Sequence, residues 1–306
     1  MQWLITKRIS TFTDVPYAGN PAWVIIGVNA SEDDKKLLKL TSELNPISDT
    51  VFVSPEIEDA DLYLRFFSQC EEINFSGHGT IATYLALEGE NILQYSEPIT
   101  ILKQKTKSGV QTLELRVKDG KVERVTVSLP PPQFISMKLE LKQIATCLNI
   151  TPVDISDTAY PIGIVSFGLT DLIIPVKSLD FLLDIKPNFQ LMKNYCERFF
   201  INGVVVYSME TVDEKHTAHM RHFAPIIGIN EEPVSGASSA SLGSYLVHNQ
   251  IISLEEMTRF VVEQGHSMQR PGLVYIHVHG YKNQILRVTF GGQGIVTFEG
   301  RVLLPQ

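Results

Sequence analysis

The hydrophobic and polar positions fall into short runs that read mostly as strands, interrupted by a few helix-prone stretches. Residues 4 to 12 and 22 to 27 read as strands around Asp14-Val-Pro-Tyr-Ala-Gly-Asn-Pro21, whose prolines, glycine and asparagine predict a turn with special backbone needs. Ser31-Glu-Asp-Asp34 has the form of a capping box before Leu37, Leu38, Leu40 and Leu44, which predicts a helix. A short strand at Val51–Val53 and an alternating one at 61 to 67 follow. Runs at 98 to 105, 110 to 117 and 122 to 129, with turns at Gly109 and Asp119-Gly120, predict an antiparallel meander.

Pro130-Pro-Pro132 removes three successive N–H donors and so stops strand pairing, which places the domain boundary there. Beyond it the pattern predicts a helix over 138 to 148, strands near 162 to 168 and 171 to 177, and a helix over 187 to 199. Strands at 203 to 208 and 218 to 225 come next. Ser253-Leu-Glu-Glu256 reads as the cap of a helix reaching Gln264 and ended by Gly265, and strands at 273 to 279, 284 to 290 and 295 to 304 close the chain.

Two glycine turns stand out because each ends a strand and opens a helix-prone run. The first is Ser76-Gly77-His78-Gly79 and the second Ser235-Gly236-Ala237-Ser238. A histidine between glycines at a helix start sets a titratable group beside backbone N–H donors, a setting suited to a carboxylate or enolate. Each turn is preceded by an Arg-x-Phe strand, Arg65-Phe-Phe67 in one half and Arg221-His-Phe223 in the other. The echo suggests two similar α/β lobes with a ligand cleft between them.

Composition narrows the partners. A net charge of −8 over 306 residues leaves no basic stripe for nucleic acid, and 44% hydrophobic with 20% charged residues is ordinary for a globular protein. The N-terminus lacks the form of a signal peptide and no apolar run reaches membrane-spanning length, so the chain reads as cytoplasmic. Cys70, Cys147 and Cys196 are too few and too scattered for a disulfide framework. His216, His219 and His222 are spaced by three, which on a strand turns successive rings to opposite faces and argues against a shared metal. No nicotinamide fingerprint, phosphate loop or Gly-x-Ser-x-Gly elbow is present.

Taken in order, Thr11-Phe-Thr-Asp-Val-Pro-Tyr-Ala-Gly-Asn-Pro21, Ser48-Asp-Thr50, Arg65-Phe-Phe-Ser with Glu72, Phe75-Ser-Gly-His78, Glu231-Glu-Pro-Val-Ser-Gly236, and Gln264-Gly with Arg270-Pro-Gly272 resemble the PhzF-like phenazine biosynthesis family. The resemblance spans nearly the whole chain. It implies the diaminopimelate-epimerase fold: two pseudo-symmetric α/β lobes of α+β type, each a mostly antiparallel sheet wrapped around a central helix. The N-terminal lobe would be residues 1–129 with the last strand, about 295–306, returning to it, and the C-terminal lobe residues 130–294. It also implies cofactor-independent isomerase chemistry on a small anionic metabolite, without metal, in a homodimer.

Carried across, the family's catalytic glutamate falls on Asp49 and its Gly-His pair on Gly77 and His78. Its Glu-Asp-Pro-Val-Thr-Gly-Ser motif falls on Glu231 to Ala237, so that its aspartate becomes Glu232 and its serine Ala237, with Ser238 one place along. Isomerisation needs a base, an acid and donors for an oxyanion. Asp49 is the base or merely caps a turn; His78 moves a proton or binds substrate, or else is a helix-start residue satisfied locally. Glu232 acts opposite His78 or only stabilises the helix dipole. Gly19 and Asn20 bind a carboxylate or supply a left-handed turn. Ser76, Gly79, Ser235, Gly236 and Ser238 complete the proposed anion site. Because both acids change reach, a second reading stands beside the enzyme: a metabolite-binding or regulatory protein that kept the cleft and lost turnover.

Overall fold

A computed structural model describes residues 2–44, 49–57 and 59–306. Its contacts divide the chain into two units, Met1–Ser128 with Gly291–Gln306, and Leu129–Phe290.

In the first unit the elements are β1 (Trp3–Thr11), β2 (Asn20–Ile26), α1 (Asp34–Leu44), β3 (Thr50–Ile57), β4 (Ala60–Phe67), β5 (Glu72–Ile73) and α2 (Gly77–Ala86). The meander β6 (Ile99–Thr106), β7 (Gly109–Lys118) and β8 (Lys121–Leu129) follows. Pairing runs β1 antiparallel to β2, β2 parallel to β3, β3 antiparallel to β4, β4 parallel to β6, and β6 antiparallel to β7. Helix α1 lays Leu37 and Leu40 on Leu4, Ile25, Phe52 and Phe67; each such burial contributes about 2 kcal/mol. The helix starts later than the Ser31 capping box predicts. Asp33 Oδ1 accepts from the Lys35 N–H and the Asp33 carbonyl from Leu37, whereas the Ser31 hydroxyl turns to Asn29.

The second unit holds β9 (Gln133–Phe134), α3 (Leu141–Leu148), α4 (Pro152–Ser156), β10 (Gly163–Ser166), β11 (Thr170–Pro175), α5 (Leu179–Asp184) and α6 (Phe189–Phe199). It continues with β12 (Gly203–Ser208), β13 (Ala218–Ala224), β14 (Ile229–Glu232), α7 (Gly236–His248), β15 (Met257–Gln264), β16 (Gly272–Tyr281) and β17 (Gln284–Gly292). The final strand, β18 (Gly294–Leu303), lies in the first unit and pairs antiparallel with β1. Pairing in the second unit runs β10 antiparallel to β11, β11 parallel to β12, β12 antiparallel to β13, β13 parallel to β15, and β15 antiparallel to β16. This is the first unit's order of directions. The pseudo-symmetry that the Arg-x-Phe echo hints at is therefore present strand by strand.

The helix predicted over 253 to 264 is instead the strand β15. Thr258, Phe260, Val262 and Gln264 are buried while Arg259 is exposed, a period of two that suits the β-branched and aromatic residues and is satisfied by partners on both sides. The Ser-x-x-Glu pattern that suggested a cap does other work, since the Ser253 carbonyl accepts from the Thr258 hydroxyl, which in turn accepts from the Glu255 N–H. The short helices α4 and α5 have no counterpart in the sequence reading, being too brief to display a helical period.

Each unit buries one helix almost entirely. α2 and α7 carry apolar and small residues all round, as a helix enclosed by a sheet must. Four of their buried hydroxyls are satisfied by backbone carbonyls one turn back. Thr80 donates to the Ser76 carbonyl at 2.8 Å, Thr83 to Gly79 at 2.9 Å, Ser239 to Ser235 at 2.7 Å and Ser244 to Ala240 at 2.8 Å.

Candidate active-site residues of the two units

The same device opens both buried helices. Ser76, at φ −133° and ψ 119°, caps α2 by accepting the Gly79 N–H on its hydroxyl, and Ser235, at φ −118° and ψ 115°, caps α7 by accepting that of Ser238. The strand leading to each turn is clamped by a buried arginine. Arg65 makes a fork to Glu72, with Nε to Oε1 at 2.9 Å and Nη2 to Oε2 at 3.2 Å, and reaches the Glu32 carbonyl at 2.8 Å and Asp34. Arg221 makes the same fork to Glu231 at 2.8 Å on both arms and donates to the Leu182 and Ile185 carbonyls at 3.0 and 2.7 Å. Each guanidinium also lies over the phenylalanine two residues on, Phe67 at 5.2 Å and Phe223 at 4.9 Å.

In the first unit the structure brings Asp49 and His78 together. Asp49 precedes β3 and is tied by its carbonyl to the Trp23 N–H at 3.0 Å, while its Oδ2 stands 3.5 Å from His78 Nε2. The other ring nitrogen, Nδ1, lies 3.4 Å from the Ser76 hydroxyl. Both side chains are partly accessible, 17% for Asp49 and 13% for His78. The Asp49 carboxylate thus faces the helix-start histidine. Gly79 lets this happen at close quarters, since a Cβ there would come within 3.1 Å of Val51, Ser76 and Phe66 together. Ser48, part of the same motif, lies outside the described residues. Gly19 supplies the left-handed conformation of the N-terminal turn at φ +57°, and Asn20 is the buried first residue of β2, its carbonyl accepting from the Thr11 hydroxyl at 2.8 Å. The left-handed positions of this turn are Tyr17 and Gly19, at φ +65° and +57°, and Asn20 is extended.

In the second unit Glu231 and Glu232 separate by strand parity: Glu231 serves Arg221, and Glu232 faces the other way to His222. His222 Nδ1 is 3.0 Å from Glu232 Oε2; its Nε2 is 3.4 Å from Asp171 Oδ1 and 3.2 Å from the Ser238 hydroxyl. Ser238 also meets Asp171 at 3.4 Å and Ser235 at 3.1 Å, so its hydroxyl points into this buried group. Ala237 is a half-buried residue of the first turn of α7. Burial opposes charge on the His222 ring, but hydrogen bonds to Asp171 and Glu232 and their negative charge prevail and raise its pKa to about 10. Gln264 fixes the turn by accepting the Ser235 N–H at 2.9 Å and donating to the Glu232 carbonyl at 2.8 Å.

His222 and Asp171 are the functional candidates that sequence reasoning missed, and Gln264 enters the sequence reading only as part of the Gln264-Gly motif, without a role. The signal for Asp171 is a lone carboxylate in the otherwise apolar, buried strand Thr170–Pro175. The histidine spacing behaves as parity predicts for His219 and His222, which turn to Glu263 and Glu232 respectively. His216 lies ahead of β13, escapes that parity, and shares Glu263 with His219 at 2.6 and 2.9 Å. Ligand atoms of His219, Glu263 and His266 do lie within 4.8 Å of one another. The Glu263 oxygens, however, also accept from the Val212 and Asp213 N–H groups at 2.7 and 2.9 Å. Desolvation would raise the Glu263 pKa, and these hydrogen bonds more than offset it, lowering it to about 2. Its carboxylate is thus a hub that holds the 212–216 loop.

A model of the phenazine biosynthesis-like protein family (PhzC-PhzF) matches residues 9–300. The chain belongs to this family. An uncharacterized isomerase of Clostridium acetobutylicum is 31% identical over 301 residues, covering 97% of each chain. The trans-2,3-dihydro-3-hydroxyanthranilate isomerase of Pseudomonas fluorescens is 23% identical over 301 residues, covering 97% of this chain and 98% of its own. Among solved structures, a PhzF-family phenazine biosynthesis protein of Bacillus anthracis matches with a TM-score of 0.89 at 26% identity, over 99% of this chain and 100% of that one. A hydroxyproline epimerase of Agrobacterium vitis, solved with bound trans-4-hydroxy-L-proline, matches with a TM-score of 0.67 at 12% identity over 99% and 91%, which speaks to the fold alone. The PhzF-like fold of two pseudo-symmetric α/β lobes and an isomerase-like family role are thereby established. Among the described residues no helix is long and apolar enough to cross a membrane.

Proposed function

We propose that this PhzF-family protein is a cofactor-independent isomerase that moves a proton on a small carboxylate-bearing metabolite. Its catalytic residues are Asp49, His78 and Glu232. The observation that carries the reading is the Asp49–His78 pair, with Oδ2 and Nε2 3.5 Å apart at the N-terminus of a buried helix. There the helix dipole favours an anion, and a carboxylate and an imidazole together supply a base and a relay.

In this scheme Asp49 takes a proton from a carbon activated by the substrate's unsaturation. The electron pair shifts the double bond, and an acid among His78 and Glu232 returns a proton at the new position. Atoms and electrons balance without a co-reactant. Backbone amides at the two helix starts, Gly77–Gly79 and Gly236–Ser238, are substrate-binding groups, as are Gly19 and Asn20. The protein acts as a homodimer, as its family resemblance implies.

The named activity of the Pseudomonas fluorescens relative makes dihydroaromatic amino acids the first substrates to try. Incubated in deuterated water, the native protein should convert one of them with incorporation of a single solvent deuteron, read by mass spectrometry. Absence of both product and exchange over the whole set would defeat the enzymatic reading for that class. A second reading, a metabolite-binding protein without turnover, draws on Ala237 and on the Ser238 hydroxyl being engaged with His222 and Asp171. Thermal stabilisation by a candidate that shows no exchange would favour it.

A further inference from the structure

We propose that His222 is a positioning residue that holds the Glu232 carboxylate in its working orientation, with Asp171 and Ser238 bracing the far side of the ring. The proposal rests on the assignment of Glu232 to the isomerisation above. Gln264 already fixes the backbone of this turn through the Glu232 carbonyl and the Ser235 N–H. His222 acts on the side chain itself, with Nδ1 at 3.0 Å from Glu232 Oε2.

The geometry favours a doubly protonated ring. Nδ1 faces Glu232 of β14, and Nε2 faces Asp171 of β11 and Ser238 of α7. A neutral imidazole donates from one nitrogen only, whereas the imidazolium donates from both and so satisfies both carboxylates. Arg221, the neighbouring cation on β13, turns away to Glu231. The ring is 6% exposed and Asp171 5%, so water does little to screen the arrangement, and the upward displacement of the ring's pKa agrees with it.

A purely structural role fits poorly. Arg65 faces Phe52 and Arg221 faces Val206 across their strand pairs, so the place of His222 in the second unit is that of Phe66 in the first. An apolar ring fills that place there. Burying an imidazole and two carboxylates instead carries a desolvation penalty that hydrophobic residues of similar volume avoid. The chain also vacates space for it. A Cβ on Gly203 would stand 2.2 Å from His222 Nε2 and 2.5 Å from Asp171 Oδ1.

Two measurements on the full chain test the proposal. In the first, the ring nitrogens of His222 are followed by NMR after isotope labelling. The wild type should show an imidazolium at pH 8, and Glu232→Gln and Asp171→Asn should each move its titration to lower pH. A neutral ring at pH 8, or a titration unmoved by Glu232→Gln, overturns the pairing. The second uses deuterium exchange with a turned-over substrate. His222→Phe, shown to be folded by its thermal melt, should lose about a hundredfold in kcat with KM little changed, and His222→Gln, which keeps one donor, should recover part of the loss. Glu232→Gln with His222→Phe should be no slower than Glu232→Gln alone, because the two act as one unit. Fully additive losses overturn the proposal. If the wild type exchanges no substrate, the isomerase reading fails, while the NMR titrations still decide whether His222 holds Glu232.

Discussion

In the first unit β4 carries Arg65 to its glutamate and packs Phe66 against the start of the buried helix; in the second β13 carries Arg221 to its glutamate and turns His222 to Glu232. Counting three places back from the matched residues Phe52 and Val206 sets Asp49 of one unit on Gly203 of the other. The first unit thus has an acid at the strand start, a histidine on the helix and a phenylalanine on the strand. The second has a glycine at the strand start, no acid or imidazole at the matching helix position, Ala237, and a histidine on the strand. The residues that agree, the Arg–Glu fork, the serine cap and the buried helix, hold the frame. The residues that disagree carry the ionisable groups, and each unit solves the problem of presenting an acid beside a helix N-terminus in its own way.

The largest expected effect breaks the shared frame. Arg221→Met leaves the partly buried Glu231 without its fork, although the Ser267 hydroxyl still donates to its Oε1, and should cost about 3–5 kcal/mol in denaturant unfolding. Arg65→Met should cost less, because Lys107 stands 3.9 Å from Glu72 and remains as a counter-charge. Equal costs would break the comparison.

A pH effect comes next. His222 is raised above its ordinary value, so its contribution is complete below pH 6.5 and is lost as pH rises through about 10. Unfolding followed from pH 6 to 11 should show a loss on the order of a few kcal/mol in the wild type that His222→Phe lacks. Identical profiles would say that the ring is not charged in the folded protein.

The smallest effect tests the matched pair Asp49 and Gly203. Gly203→Ala pushes a methyl into His222 and Asp171 and should cost about 1–3 kcal/mol. Asp49→Ala, at the partly accessible counterpart, should stay within about 0.5 kcal/mol of wild type.

The fold was legible where period and punctuation agree. The first strands, the 98 to 129 meander and the helices after both glycine turns sit within a few residues of their predicted spans. Met257–Gln264 reads as a helix from sequence because a Ser-x-x-Glu signature precedes it, whereas its burial in the fold follows a strand's alternation over Thr258–Val262. Of the site, Asp49 and His78 announce themselves through glycine context and motif. His222 and Asp171 do not, because their meaning lies in pairings 10 and 67 residues apart that only the fold brings together.

The most direct test of the account is the rate of solvent-deuterium incorporation into a turned-over dihydroaromatic amino acid by wild type, Asp49→Asn and Asp49→Glu, each verified as folded. The account predicts a loss of about a hundredfold to ten-thousandfold for Asp49→Asn and substantial retention for Asp49→Glu, which keeps the carboxylate and lengthens its reach by one methylene. Exchange by Asp49→Asn at the wild-type rate would contradict it.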